Sequence, residues 1–360
     1  MTSYAGKDVH ALTSVYVYLT WRCNLRCIHC WVEGGEHETS EEVNTELITS
    51  LLDQAVDLGL KNIKFTGGEP TLCWDKIVSI VNHTKNKGLA YSIESNGLLL
   101  DEHKIMFAKE NNITVSVSLN GRNAQINDKF TRIPGSFDTA IKAIGKMTEL
   151  GYKPATLVAS VYKGNISELA EDILFYDILG IETIKINPII SIGRGAALDR
   201  ENALLDIEDH FELAKLIKSL QKIVKSNIFL HEPFCLRSYN SIKVNGAGRC
   251  GIKQLLSILP DGNISLCGYG GVDPRVILGK WNPDSHLQDV WSDHPVLSEL
   301  RRIDGSNLKG ACEKCLHKEI CQGDCKILTF KEFGCWDMPL PLCHKMENNG
   351  VFPKSRVMVC

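Results

Sequence analysis

Short apolar runs alternate with amphipathic segments through the first 200 residues of the chain. The runs that are typical of strands span 15–20, 62–66, 90–95, 113–119, 155–161 and 183–187. Between them, apolar residues recur at helical spacing over 45–58, 76–85, 137–150 and 166–179. Gly88, Gly151 and Gly180 follow three of these segments, where a helix C-cap is expected. Repeated strand–helix units predict an α/β fold with a parallel sheet and outer helices, and periodicity alone leaves an open sheet and a curved partial barrel as alternatives.

The pattern changes after residue 200. Residues 201–230 are predicted to form one long bridging helix, with core positions Leu204, Phe211, Leu213, Leu216 and Leu220. From residue 233 Gly, Pro and Cys become frequent, and Pro260-Asp261-Gly262-Asn263 between two apolar runs predicts a β-hairpin. The region from residue 233 has few apolar residues with which to form a core, so we expect bound metal to stabilise it. We therefore predict a main domain at 12–200, a bridge at 201–232, a cysteine-rich domain at 233–345 and a tail at 346–360.

Charge and hydropathy exclude several classes of protein. The 40 basic and 43 acidic residues leave a formal charge of −3, which disfavours nucleic acid as the main partner. Residues 1–10 are polar and do not resemble a secretory signal. No stretch of 18 uninterrupted apolar residues occurs, so no membrane span is predicted. We expect a soluble, cytoplasmic protein without a membrane partner.

The 14 cysteines are distributed unevenly. Three lie close together near the start, nine lie between Cys235 and Cys343, and none lies between Cys73 and Cys235. Clustered cysteines in a chain without an export signal are more typical of metal ligands than of disulfides. The distribution predicts one metal site at the front and others behind.

The front motif, Cys23-x3-Cys27-x2-Cys30, directly follows the first predicted strand. A [4Fe–4S] cluster needs four ligands, so three cysteines leave one iron open. An open iron can chelate the amino and carboxylate groups of S-adenosylmethionine (SAM), whose reductive cleavage releases a 5′-deoxyadenosyl radical. The alternative is a three-cysteine zinc site that His29 or His37 completes.

The residues between these cysteines make the motif more specific. Cys23-Asn24-Leu25-Arg26-Cys27-Ile28-His29-Cys30 resembles the signature of radical SAM enzymes, and Gly67-Gly68-Glu69-Pro70 is similar to their GGEP element. The resemblance covers about residues 12–345. It implies a partial (β/α)6 barrel, SAM and one [4Fe–4S] cluster, with the GGEP backbone receiving the SAM amino group.

The resemblance also implies further contacts with SAM. His29 holds a position near adenine in relatives, and Ser118 and Arg132 match positions that hold the SAM carboxylate and ribose. Asn120 stands where relatives commonly carry Asp. The full set of implied cofactor-binding residues is His29, Gly67, Gly68, Glu69, Glu94, Asn96, Ser118 and Arg132.

The rear motif is Cys312-x2-Cys315-x5-Cys321-x3-Cys325. With Cys250, Cys267 and Cys343 it resembles the seven-cysteine pattern of the SPASM extension, which implies two auxiliary [4Fe–4S] clusters. One cluster would be ligated by Cys312, Cys315, Cys321 and Cys343. The other would be ligated by Cys250, Cys267 and Cys325, with either Cys235 or an open iron at its fourth position. Two zinc knuckles are the alternative.

Three further cysteines lie outside these sets. Cys73 is expected to be a buried small apolar residue, and Cys360 ends the chain. Cys335 lies between two cluster ligands and is a candidate catalytic thiol that donates a hydrogen atom to a substrate radical.

The resemblance implies that the radical removes hydrogen from a ribosomally made peptide, giving a crosslink, a thioether or an epimerised residue. Only 22 residues precede Cys23, so we expect a separate protein or the barrel itself to hold the peptide leader, and an electron donor such as flavodoxin or ferredoxin. One alternative is modification of a tetrapyrrole side chain, since haem-pathway relatives share a similar approach to Cys250 (Gly246-Ala247-Gly248-Arg249). Another is a non-catalytic iron–sulfur electron carrier, which has no need for the GGEP element.

Overall fold

A long, mostly parallel sheet runs through the molecule. The computed structural model describes residues 10–35, 41–237, 242 and 250–358. Within them the sheet has ten strands in the order β10-β9-β8-β1-β2-β3-β4-β5-β6-β7. The strands are β1 Ser14–Tyr18, β2 Asn62–Thr66, β3 Ala90–Ser95, β4 Ile113–Ser118, β5 Thr156–Val161, β6 Thr183–Pro188, β7 Asn227–Leu230, β8 Leu255–Ile258, β9 Asn263–Ser265 and β10 Ile277–Lys280.

Helices cover the outer face of strands β1 to β7. They are α1 Thr45–Asp57, α2 Trp74–Thr84, α3 Glu102–Glu110, α4 Ala124–Thr131, α5 Ser136–Glu149, α6 Leu169–Ile178, α7 Gly195–Arg200 and α8 Ile207–Leu220. The predicted α/β class with a parallel sheet is confirmed, as are all six predicted strands, while α3, α4 and α7 had not been predicted. Gly88, Gly151 and Gly180 have φ values of +67°, +63° and +71°, the left-handed backbone of the predicted C-caps. No helix of the described residues is long and apolar enough to cross a bilayer.

The two faces of the barrel strands differ in character. Val15, Val17, Ile63 and Phe65 are fully buried against the helices. Side chains of the opposite parity, such as Lys64 between Ile63 and Phe65, are only partly buried. Parallel strands that are buried on both faces usually read as continuous apolar runs. The polar inner face therefore lines a chamber.

The prediction of one helix over 201–230 is wrong. Helix α8 covers only Ile207–Leu220, and the chain then turns into β7, which pairs in parallel with β6. A capping box between Asp206 and Asp209 starts the helix late. After its end, the Asp177 carboxylate accepts the N–H groups of Lys225 and Ser226 (2.9 and 2.7 Å) and directs the chain into the strand.

The predicted hairpin is confirmed, and it extends the barrel sheet. Strand β8 pairs in parallel with β1 and antiparallel with β9, and β9 pairs with β10. Short helices then follow: α9 Leu287–Asp293, α10 Pro295–Arg301, α11 Lys318–Cys321, α12 Lys326–Phe333 and α13 Pro341–Asn348. The rear cysteines are therefore carried on turns and short helices against one side of the barrel.

Candidate functional site

Cys23, Cys27 and Cys30 lie on one loop after β1, at the carboxyl edge of the parallel sheet. The N–H of Leu25 donates to Cys23 Sγ (3.4 Å), and the N–H of Gly34 donates to Cys30 Sγ (3.3 Å). The Cys27 thiol interacts electrostatically with both other thiols. Hydrogen bonds to sulfur are among the features that tune iron–sulfur clusters, so the loop presents its thiols in a suitable setting.

The barrel holds this cysteine loop from two sides. The N–H groups of Arg26 and Ile28 donate to the carbonyls of Thr131 and Phe130 at the end of α4 (both 3.0 Å). From the opposite side, Arg194 donates from its backbone N–H to the Cys30 carbonyl (3.1 Å) and from Nε to the Cys27 carbonyl (2.7 Å). Sequence reasoning missed Arg194; the available signal was an arginine between two glycines shortly after the sixth strand.

The GGEP element packs against the same loop through its glycines. Gly67 has a φ of +132°, and a Cβ on Gly68 would lie 2.1 Å from the carbonyl oxygen of Arg22. The N–H of Gly68 donates to the Thr20 carbonyl (2.7 Å). A Cβ on Gly34 would lie 3.2 Å from both Cys23 Cβ and Gly68 Cα. Only glycine therefore lets these backbones approach each other beside the thiols.

The Glu69 side chain has a structural role. Its buried carboxylate accepts hydrogen bonds from the backbone N–H and hydroxyl of Thr71, from Ser95 Oγ (2.8 Å) and from the Asn96 N–H (2.8 Å). Burial raises its pKa, and these hydrogen bonds oppose the shift. Glu69 thus ties the end of β2 to the end of β3.

Asn96 reaches the cysteine loop. Its Nδ2 donates to Asn24 Oδ1 (2.7 Å) and lies 3.8 Å from Cys23 Sγ. Glu94, two residues earlier on the same face of β3, forms an ion pair with Lys64 (2.7 Å). The neighbouring lysines hold the Glu94 pKa below its usual value against the effect of burial.

The remaining SAM-site candidates lie in different surroundings. Ser118 ends β4, is partly buried and pairs with Val158 of β5. Arg132 is exposed and follows α4 with a φ of +61°. His29 is the candidate that lies on the cysteine loop itself.

The His29 ring forms part of an aromatic wall. Its centroid lies 4.8 Å from that of Phe130, whose ring makes an edge contact with Tyr162 at 6.1 Å. Burial, and then the nearby Arg194, lowers the His29 pKa to about 4, so the ring is neutral at pH 7. Its buried Nδ1 has no hydrogen-bond partner among the described residues. This wall can accept a planar heteroaromatic ring beside the thiols.

Five rear cysteines line one small cavity: Cys235, Cys312, Cys315, Cys321 and Cys343. Cys235 Sγ lies 3.7 Å from Cys343 Sγ. The structure thus brings Cys235 to the set that the sequence assigns to Cys312, Cys315, Cys321 and Cys343, and not to the Cys250 set. We call these five residues the distal thiol group.

Cys250, Cys267 and Cys325 form the second rear set, which we call the proximal thiol group. The three thiols interact electrostatically with one another. The Cys267 thiol also interacts electrostatically with the Tyr18 hydroxyl of β1. The residues that lead into Cys325 have left-handed backbone, with φ values of +51°, +81° and +55° at Gln322, Gly323 and Asp324. Asp324 is buried beside both groups, and burial raises its pKa to about 6.

The remaining cysteines lie outside the front loop and both rear thiol groups. Cys73 is buried in the main core, as expected. The Cys335 thiol contacts Asp337, which is paired with Lys309. Each of the 13 cysteines that the structure describes carries a free thiol. His37, Cys360 and Gly246-Ala247-Gly248-Arg249 lie outside the described residues.

The thiols fit iron–sulfur chemistry by donor type and by environment. Burial raises the pKa of Cys23 to about 11, and that of Cys267 and Cys312 to about 12, so these thiols are neutral without a cation. Iron supplies the positive charge that favours the thiolate. No three His, Cys, Asp or Glu side chains of the described residues lie close enough to hold a single ion.

Comparison with known proteins identifies the barrel. The model of the radical SAM superfamily matches residues 17–175, which contain the cysteine loop, the GGEP element and strands β2 to β5. The matched region belongs to the radical SAM superfamily. The predicted family is confirmed, with SAM and a [4Fe–4S] cluster as its cofactors. The alternative interpretation of the chain as a non-catalytic iron–sulfur electron carrier is wrong.

Relatives and solved structures extend this similarity beyond the barrel. The chain is 26% identical over 353 residues to the mycofactocin maturase MftC of Mycolicibacterium smegmatis, covering 94% of this chain and 84% of MftC. It is 28% identical over 359 residues to the Fe-coproporphyrin III synthase of Methanosarcina barkeri, covering 91% and 86%. The structure of anSMEcpe with bound AdoMet and the Cp18Cys peptide superposes with a TM-score of 0.73 at 16% identity, covering 94% and 95%. The predicted partial barrel followed by a further C-terminal region is therefore the fold of this chain.

Proposed function

We propose that this enzyme modifies a ribosomally made peptide by radical chemistry, forming a crosslink, a thioether or an epimerised residue. The observation that carries the proposal is a groove of about 630 Å³ between the barrel and the cysteine-rich region. It runs from Ile189–Ser191 after β6, past His231 and Glu232 after β7, to Cys325 of the proximal thiol group. A groove of this volume suits a short peptide segment that reaches from the barrel mouth to the rear thiols.

The charge of the groove favours a peptide over a tetrapyrrole. A tetrapyrrole needs several Arg or Lys for its propionates. The groove has three lysines, Lys163, Lys331 and Lys345, and six carboxylates: Asp199, Asp206, Glu208, Glu232, Asp324 and Glu332. An acidic lining disfavours a polyanion. The relative MftC is named a maturase, and the structural neighbour anSMEcpe holds a peptide, which agrees with this choice.

The residues of the barrel would share the work of binding SAM. Cys23, Cys27 and Cys30 would hold the [4Fe–4S] cluster, which supplies the electron that cleaves SAM to the 5′-deoxyadenosyl radical. The backbone of Gly67 and Gly68 would receive the SAM amino group, and His29 would lie against adenine. Glu94, Asn96, Ser118 and Arg132 complete the proposed cofactor-binding set.

The rear thiols would hold two auxiliary clusters. The distal thiol group has five candidate ligands, of which a four-iron cluster needs four, and the proximal group has three. An open iron on the proximal cluster is therefore part of this proposal. Electrons would leave through these clusters to a carrier of the flavodoxin or ferredoxin class. A separate leader-binding protein completes the proposed partners.

A two-substrate assay tests the proposal. The anaerobically reconstituted enzyme, with SAM and dithionite, receives either a synthetic candidate peptide, chosen from any short reading frames that neighbour its gene, or coproporphyrin III. We expect a mass change in the peptide, with release of 5′-deoxyadenosine that the peptide accelerates. Turnover of coproporphyrin III together with an unmodified peptide would replace the proposal with tetrapyrrole modification. For the auxiliary clusters we expect about twelve irons per chain, and about four fewer in Cys312→Ala/Cys315→Ala.

A further inference from the structure

The inner face of the barrel carries charged side chains from several strands. Strand pairing places Glu94, Ser116, Thr156 and Thr183 in one row across β3, β4, β5 and β6. Lys185 lies two residues beyond Thr183 and so projects from the same face of β6. Glu94 and Lys185 therefore both face the chamber, from β3 and β6, and Glu94 interacts electrostatically with Lys185.

The charges of these inner-face side chains do not balance. Lys64 holds the Glu94 carboxylate at 2.7 Å. Lys185 forms no ion pair within 4.0 Å among the described residues, although Glu94 attracts it from farther away. Next to it, burial and then the positive charges of Lys185 and Arg237 lower the His231 pKa to about 4, so His231 is neutral at pH 7. Lys64, Lys185 and Glu94 together thus carry one excess positive charge on this face.

An ammonium group in a partly enclosed chamber is unfavourable unless an anion accompanies it. Burial lowers the Lys185 pKa accordingly, Glu94 opposes this shift and Lys64 adds to it. SAM is a poor candidate for the anion. Its sulfonium carries a positive charge, and its carboxylate is expected at the open iron of the front cluster.

The position of the charges relative to the cysteine loop suits a substrate. Asn96 contacts the cysteine loop, and Glu94 is two residues earlier on the same face of β3. At about 3.3 Å per residue the Glu94 row lies roughly 7 Å beneath that loop. Lys185 pairs with Val158 and, through it, with Ser118, so it lies one pair of residues nearer to the loop than Glu94 does. A group bound by Lys185 would hold the neighbouring carbon atoms of a substrate beside the SAM site.

We propose that Lys185 binds a carboxylate of the substrate and thereby orients the substrate carbon that loses hydrogen. This inference rests on the proposed function, because it assigns a binding group to the chamber of a radical SAM enzyme. The carboxylate belongs to the peptide, as its C-terminus or an acidic side chain. A tetrapyrrole propionate offers the same chemistry, and the experiment below distinguishes the two sources.

The first measurement uses a simple carboxylate as the probe. The reconstituted enzyme is acetylated with trace acetic anhydride, with and without 100 mM sodium propionate, and modification of Lys185 is followed by mass spectrometry. A bound carboxylate favours the protonated, unreactive amine, so we expect propionate to slow acetylation of Lys185 by about threefold or more. Exposed Lys153 is the internal control, and sodium chloride at 100 mM controls for ionic strength. Equal protection of Lys153 and Lys185, or protection by chloride alone, would overturn the proposal.

The second measurement identifies the source of the carboxylate. Binding of the peptide, of its C-terminal amide and of coproporphyrin III is compared in the wild type, Lys185→Met, Lys185→Arg and the control Lys153→Met. We expect Lys185→Met to weaken binding of the carboxylate-bearing substrate about tenfold, with Lys185→Arg retaining most of it. Weakening confined to the peptide places the carboxylate there, and weakening confined to coproporphyrin III assigns it to a propionate. If both substrates fail while propionate still protects Lys185, the proposed function fails and the carboxylate site stands.

SAM provides the remaining control. Substrate-free release of 5′-deoxyadenosine and SAM affinity should stay within about twofold of the wild type in Lys185→Met. A loss of SAM affinity equal to the loss of substrate affinity would assign Lys185 to SAM and overturn the proposal.

Discussion

The front cysteine loop and the distal thiol group use the same side chain in two structural settings. The front loop is held from outside by residues distant in sequence, Phe130, Thr131 and Arg194. In the distal group Cys315 donates to the Cys312 carbonyl (3.1 Å) and Cys321 to the His317 carbonyl (2.7 Å) within local turns, and a bridge between Cys315 and Val357 adds backbone bonds to the C-terminal segment. The first site is thus built by the barrel, whereas the second is held by local turns and by the C-terminal segment.

The residues buried around the two sites also differ. Beneath the front loop, Val17, Phe65 and Val117 are fully buried in a continuous apolar layer. Around the rear thiols the buried residues include the charged Asp324 and Lys326, on segments of four to eight helical residues. Apolar layers stabilise a fold without a ligand, while small cysteine-rich segments depend on metal. The front site is therefore expected to be preformed, and the rear region to depend on iron.

The largest expected effect is on catalysis at the front site. Cys27→Ala removes one of three cluster ligands, so we expect release of 5′-deoxyadenosine to fall more than about 100-fold, beyond the loss typical of outer-shell changes. Thermal unfolding of the barrel should change little, since the loop is held by the barrel. The control is Cys73→Ala, which removes a core thiol and should retain iron and SAM cleavage. Normal cleavage by Cys27→Ala would remove the front loop from the mechanism.

Removal of iron should separate the two regions. After anaerobic chelation we expect amide hydrogen exchange across residues 309–350 to accelerate at least about tenfold, because the thiols no longer share a metal. Strands β2 to β5 should exchange as before. Equal acceleration in the barrel would mean that both regions depend on the metal, which would contradict a preformed front site.

Arg194→Met tests whether the barrel positions the front loop. Its loss removes the Nε contact with the Cys27 carbonyl, and we expect the front cluster to be lost to chelators about tenfold faster. The rear clusters should keep their rate, which separate EPR signals can follow. Faster loss at all clusters would indicate general destabilisation rather than positioning.

The smallest effect on SAM cleavage is expected from Cys335→Ala. The thiol lies beside Asp337 and Lys309, neither of which belongs to the proposed SAM site, so release of 5′-deoxyadenosine should change less than about twofold. If Cys335 is the hydrogen donor, the variant will alter the yield or the stereochemistry of the product and its uptake of deuterium from solvent. Unchanged product on all three measures would end that role.

Local pattern was a good guide to the barrel and a poor one to the segments after it. Strands 62–66 and 90–95 were predicted to the residue, because alternating buried positions appear in the sequence as alternating apolar residues. Helix α3 was not predicted, since Ile105, Met106 and Phe107 stand consecutively rather than at helical spacing. The helix predicted to reach residue 230 failed because the Asp177 contact that turns the chain comes from 48 residues away.

The sequence by itself determined the chemistry of this protein: three thiols within eight residues after a strand, paired glycines after the next strand, and a second cysteine array. Such motifs are local, and spacing alone restricts what they can bind. Only the tertiary structure decided that Cys235 meets Cys343, 108 residues away, and that Lys185 and Glu94 face the same chamber. Those contacts depend on strand register and packing between distant segments, which no local pattern specifies.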